Sequence, residues 1–266
     1  MIGRIAVIFL ALIAPAAAEV ELNGKLVQGG MLLGRAAPGA EVRLDGKPVR
    51  VGDDGRFVIG FGREAAPRAL LEVVNPAGIE QHDLRIEPRQ WDVQRINGLP
   101  EAQVTPPPAV LARIKKENEA IAETRRRDTP ERWFEQGFVW PAEGPVSGVY
   151  GSQRILNGQP RQPHFGLDIA APVGAPVVAS TAGLVVLADK DLYFTGGTIV
   201  IDHGFGLIGV YSHLSRLDVR VGQQVRQGER IGAVGATGRV TGAHLDWRVN
   251  WFDVRLDPLL LLPPRK

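Results

Sequence analysis

The stretch Gly242-Ala243-His244-Leu245-Asp246-Trp247-Arg248-Val249-Asn250-Trp251 reads as a β-strand near the C-terminus, with a histidine and an aspartate two residues apart. Side chains two apart on a strand project from the same face. The imidazole of His244 and the carboxylate of Asp246 therefore share one environment, which is solvent, each other, or something bound. On an unbulged strand Trp247 and Trp251 fall on the opposite face and read as core.

Outward from this strand the β texture continues. Between about Phe138 and Leu261 short apolar runs (APVVAS at 175–180, GLVVLA at 183–188, TIVID at 198–202, LIGVYSHL at 207–214) are separated by glycine-bearing turns. Four of the five histidines, His164, His203, His213 and His244, fall in this same region. His164 stands in Pro163-His164-Phe165-Gly166-Leu167-Asp168-Ile169, where Pro163 and Gly166 disfavour a helix. Read as extended chain, His164 and Asp168 share a polar face with only Gly166 between them, while Phe165, Leu167 and Ile169 point into a core. An imidazole and a carboxylate with a gap between them suit a metal ion. His203, at a turn, reads as a structural histidine bonded to local backbone.

These residues sit in five ordered blocks: QPHFGLDIAAPVGAPVVA (162–179), GGTIVIDHGFG (196–206), VYSHLS (210–215), VGQQVRQGERIGAVGATG (221–238) and GAHLDWRV (242–249). Together they resemble the lysostaphin/LytM-type zinc peptidases, which cut peptide bonds in peptidoglycan. The resemblance covers just under half the chain and implies an antiparallel β domain with a groove across an exposed sheet. It implies that His164 and Asp168 are zinc ligands, that His213 stands beside the metal, and that His244 is the general base. At the third ligand position the family has histidine and this chain has Asp246. Carboxylate oxygen binds zinc at nearly the distance of imidazole nitrogen, but a His, Asp, Asp set leaves the metal a weaker Lewis acid. Two readings follow: a peptidoglycan endopeptidase, or a degenerate domain that binds peptidoglycan or activates a cell-wall amidase.

The remainder of the chain frames this domain. With 32 glycines, 20 prolines and 6% aromatics among 266 residues, the composition favours short strands and turns. A net charge of +2 gives no support to nucleic-acid binding. Residues 1–18 have the layout of a secretory signal, with an apolar run too short for a permanent membrane anchor. The expected location is periplasmic or extracellular. With no cysteine, neither disulfides nor a lipid-modified cysteine are available. Residues 19–95 carry turn signals every 8 to 12 residues, at Pro38-Gly39, Asp45-Gly46, Asp54-Gly55 and Asn75-Pro76, and read as an immunoglobulin-like β-sandwich. Residues 96–137 read as a proline-rich and helical linker. Its helix, over 109–127, has Leu111, Ile114 and Ile121 on its docked side and Arg125, Arg126 and Arg127 as a solvated basic end. The peptidase-like domain is expected over 138–266. Arg154 and Asn157, on the loop leading to His164, are candidates to contact substrate or brace that histidine.

Overall fold

The computed structural model describes residues 20–75, 78–96, 108–156 and 158–265. The expected secretory segment, the start of the linker and Asn157 lie outside the described residues, as does the side chain of Arg154. The chain is mainly β, with one α-helix and a large antiparallel C-terminal sheet.

The N-terminal body contains β1 (Glu21–Gly24), β2 (Met31–Arg35), β3 (Glu41–Leu44), β4 (Lys47–Val49), β5 (Arg56–Gly60), β6 (Arg68–Asn75) and β7 (Gly78–Arg85). They form two antiparallel sheets, β1-β2-β5 and β4-β3-β6-β7. Alternation in β6 turns Ala69, Leu71 and Val73 inward and Arg68, Leu70 and Glu72 outward. Those inward residues meet Leu32, Phe57 and Ile59 of the other sheet in one apolar core. The Phe57 ring fills the space over Gly34, where an added Cβ would sit 2.1 Å from Cζ.

After β8 (Val93–Ile96) comes α1 (Leu111–Thr124). The helix lies along the C-terminal sheet through buried Ile114, and Glu117 accepts a hydrogen bond from the Tyr193 backbone N–H at 2.7 Å. Two expectations fail here. Leu111 is 48% exposed rather than docked, because the helix begins only there and its contact face starts a turn later. The basic end is solvated only in part: Arg126 is exposed, but its two neighbours are not free. The helix stops at Thr124, and beyond it Arg125 pairs with Asp253 at 3.1 Å and Arg127 with fully buried Asp202 at 2.9 Å.

The C-terminal strands are β9 (Val146–Gly148), β10 (Gln153–Leu156), β11 (Gln159–Pro160), β12 (Leu167–Ala170), β13 (Pro176–Val178), β14 (Gly183–Leu192), β15 (Gly196–Gly204), β16 (Leu207–Leu217), β17 (Gln224–Val225), β18 (Arg230–Val234), β19 (His244–Trp251) and β20 (Val254–Leu256). The main sheet runs β17-β14-β15-β16-β19-β12-β9, with β18 bridging β13 to β16 and β20 extending from β19. Leu167, Ile169, Ile199, Ile201, Tyr211, Leu245, Trp247 and Val249 form its core. Strand β19 pairs without a bulge, so Trp247 is fully buried as parity requires. Trp251 is half-buried against the cores of both bodies.

The two bodies are stitched together. β8 pairs in parallel with β10, and Trp91 packs edge-on against Tyr150 with ring centroids 5.6 Å apart. The guanidinium groups of Arg63 and Arg89 stack on Trp91, and Arg89 pairs with buried Asp257 at 2.7 Å. Arg63 also donates to the Gly151 carbonyl at 2.9 Å. The N-terminal body thus braces the segment that leads into His164.

Candidate metal centre

β12 and β19 are antiparallel neighbours, and their register sets Asp168 directly across from Asp246. Both carboxylates therefore share a face, while Leu167, Ile169, Leu245 and Trp247 occupy the core face. His164 lies in the extended run before β12. Its backbone N–H donates to the Ser152 carbonyl and its own carbonyl accepts from Gly151 N–H, both at 2.8 Å. This anchorage carries the ring back over the strand, with Nε2 3.2 Å from Asp168 Oδ1. One donor atom from each of His164, Asp168 and Asp246 lies within 4.8 Å of the others. Direct pairing of β12 with β19 brings the short side chain of Asp246, at the third ligand position, close to the other two.

Three observations fit a cation at this point. Two carboxylates directly opposite each other on one sheet face repel, and the guanidinium beside them, on Asp246, offsets only one of the two charges. His164 Nε2 and Asp168 Oδ1 are buried with no hydrogen-bond partner among the described residues, although they face each other. Finally, glycines make room for both acids: a Cβ on Gly148 would sit 2.2 Å from Asp168 Oδ2, and one on Gly166 2.2 Å from Asp246 Oδ1.

Asp246 has a partner that the sequence reading did not single out. Arg248, two residues along on the same face of β19, donates from Nε to Asp246 Oδ1 and Oδ2, both at 3.0 Å, and from Nη2 to Oδ2. Burial alone would push the Asp246 carboxyl up, but the Arg248 charge and hydrogen bonds hold it well below the usual carboxylate range. Asp246 is therefore ionised. Its Oδ1 carries a single hydrogen bond and keeps a lone pair for a cation. The available signal for Arg248 was the same two-residue parity that joined His244 to Asp246.

His213 and His244 stand beside this group, with ring centroids 4.9 Å apart and His244 Nε2 3.8 Å from Asp168 Oδ1. His213 Nδ1–H donates to the Thr237 carbonyl and His244 Nδ1–H to the Gly242 carbonyl, both at 2.9 Å. Each bond selects the tautomer that leaves Nε2 free to accept a proton. Burial holds the His213 imidazole below the ordinary histidine range despite the opposing pull of Asp246. His213 reaches the site through a β-bulge in β16, where its φ of 66° lies in the left-handed region. Strict alternation would have put it on the core side with Tyr211; instead Ser212, across from Asp246, and His213 both turn to the site while Leu214 returns to the core. Ser212 Oγ is buried there without a partner among the described residues. His203 lies apart: it is fully buried, and its Nδ1–H donates to the Ala182 carbonyl at 2.7 Å.

The sequence profile of Peptidase family M23 matches residues 162–258, a span that contains all five of the converging residues. A solved structure from Pseudomonas aeruginosa, described as a candidate peptidase M23, is 32% identical over 89% of this chain and 95% of that one, with a TM-score of 0.69. Among curated proteins, the Vibrio cholerae peptidoglycan DD-endopeptidase ShyA is 46% identical over 46% of this chain and 28% of its own. The Escherichia coli murein hydrolase activator NlpD is 31% identical over 47% of this chain and 31% of its own. The chain spans about a quarter to a half of the length of the curated relatives it matches. With three of the five blocks supplying side chains to one site and a relative matched nearly end to end, the chain belongs to peptidase family M23.

Proposed function

We propose that the protein is a secreted zinc metalloendopeptidase that hydrolyses peptide crosslinks of peptidoglycan, working in the periplasm or outside the cell. The observation that carries this reading is the convergence of His164, Asp168 and Asp246 donors within 4.8 Å, flanked by two imidazoles with their Nε2 atoms free. His164, Asp168 and Asp246 would hold the ion, which when bound supplies Lewis-acid polarisation of the scissile carbonyl and acidifies the attacking water. His244, whose Nε2 lies 3.8 Å from Asp168 Oδ1, is the base that takes the proton at Nε2. His213, kept neutral by burial with its Nδ1–H held by the Thr237 carbonyl, is placed to accept a hydrogen bond at Nε2 and so orient the attacking water. The likeness to ShyA, a peptidoglycan DD-endopeptidase, supports this substrate class. The N-terminal body, with three plus four antiparallel strands, is read as an immunoglobulin-like accessory module that braces the His164 segment. Among the described residues no helix is long and apolar enough to cross a membrane.

One observation favours a second reading. Arg248 already satisfies Asp246, as a site that had abandoned its metal would require, and the likeness to the activator NlpD points to a regulator of a cell-wall amidase. The two readings separate in one experiment. The purified protein is measured for zinc stoichiometry and incubated with peptidoglycan sacculi, with and without an amidase. About one zinc per chain and new muropeptides from the protein alone support the enzyme; no zinc, no products and a stimulated amidase overturn it.

A further inference from the structure

We propose that Arg248 is a positioning residue that makes an aspartate serviceable as third ligand, by cancelling its extra charge and fixing its orientation. The inference rests on the metallopeptidase reading and concerns how that site tolerates Asp246. A neutral histidine, Asp168 and Asp246 sum to −2, whereas a two-histidine, one-aspartate set sums to −1. Arg248 returns the sum to −1. The dication then keeps about the residual positive charge it would have with two histidines, and with it the strength to polarise a carbonyl.

The geometry separates this role from that of a cation substitute. A guanidinium replacing the ion would bridge the ligands. Arg248 instead grips Asp246 alone through Nε and Nη2, and no hydrogen bond joins it to Asp168 or His164 among the described residues. Their facing atoms, His164 Nε2 and Asp168 Oδ1, lie 3.2 Å apart and make no hydrogen bond among the described residues. The fork also restrains the aspartate rotamer, as carboxylate partners restrain ligating histidines elsewhere. Gly166 opens the space for both side chains: a Cβ there would lie 2.2 Å from Asp246 Oδ1 and 2.8 Å from Arg248 Cγ.

The charge rule makes an unusual demand, that restoring a histidine at 246 should harm the site while Arg248 remains. The test measures zinc affinity by competition with a chromophoric chelator, and fold by circular dichroism, for the wild type, Asp246→His, Arg248→Gln and the double variant Asp246→His/Arg248→Gln. The charge sums are −1, 0, −2 and −1. Asp246→His alone is expected to bind zinc at least about tenfold more weakly than wild type, and the added Arg248→Gln to recover affinity to within a few-fold. Asp246→His/Arg248→Lys, which keeps the charge without the fork, should remain weak. If Asp246→His alone binds zinc as tightly as the double variant, the inference falls while the metallopeptidase reading stands. If the folded wild type takes up no zinc, that reading falls, and this inference with it.

Discussion

The two β bodies bury different chemistry. The N-terminal body is filled by apolar side chains, and among the described residues its one buried charged side chain, Arg63, reaches out to Gly151 of the other body. The C-terminal sheet buries Thr198, Asp202, His203, Ser212, His213, Asp246 and Asn250. Burying polar groups is costly unless they are bonded, so a fold that concentrates them in one sheet uses them there. The contrast is sharpest between two buried aspartates. Asp202 is saturated: it accepts from Arg127 Nε at 2.9 Å, Thr129 Oγ1 at 3.1 Å and Gly204 N–H at 2.9 Å. Among the described residues Asp246 accepts hydrogen bonds from Arg248 alone, beside His164 and Asp168 atoms that make none. The first acid is a structural clamp holding the segment after α1 to the sheet; the second sits in a site left open.

The largest effect tests the open site. Asp168→Asn should lower zinc affinity by about a hundredfold or more, and abolish muropeptide release with it. In chelator-treated protein the same change should instead raise stability by roughly 1 kcal/mol, by removing one of two facing carboxylates. A melting temperature that falls in the presence of chelator would contradict the electrostatic picture.

The closed clamp predicts the opposite pattern. Arg127→Ala should cost about 3 kcal/mol in urea unfolding, because it leaves a buried carboxylate short of its charged partner, while zinc affinity stays unchanged. A shift in zinc affinity would show that the two regions are not separate.

His203 sharpens the comparison through pH. Burial holds its imidazole down to about 4, against about 6.5 in the unfolded chain. The unfolded state therefore binds the proton first. The neutral histidine's contribution is fully present above about pH 6.5 and is lost as pH falls towards 4, by up to roughly 3 kcal/mol. Between pH 7 and pH 5 wild type should lose about 2 kcal/mol more than His203→Gln in matched denaturation curves. Equal losses would remove the assignment. The smallest effect belongs to the helix: Leu111→Ala, at an exposed position, should change stability by less than about 0.5 kcal/mol, and a larger loss on thermal melting would mean that its side chain docks after all.

Much of the site was legible because its logic is local. Alternation along 244–251 is enough to put His244 and Asp246 on one face and Trp247 in the core, and β19 obeys it. The helix was legible as a helix, but not its true docked face or the destinations of Arg125 and Arg127, because the residues they meet, Asp253 in the turn after β19 and Asp202 in β15, are distant in sequence. His213 was found by its motif rather than by geometry, since strict alternation would have turned it into the core.

By itself, the sequence determined the β texture, the clustering of histidines in one domain and the pairing of His244 with Asp246 on a shared face, all consequences of a two-residue repeat that acts along a single strand. Tertiary structure alone decided that Asp168 faces Asp246, that Gly148 and Gly166 leave room for their carboxylates, and that a bulge rotates His213 into the site. It also decided that Arg248 turns to Asp246 rather than to solvent. Register, bulges and the choice of a charge partner depend on neighbouring strands, and no periodicity within one segment encodes them.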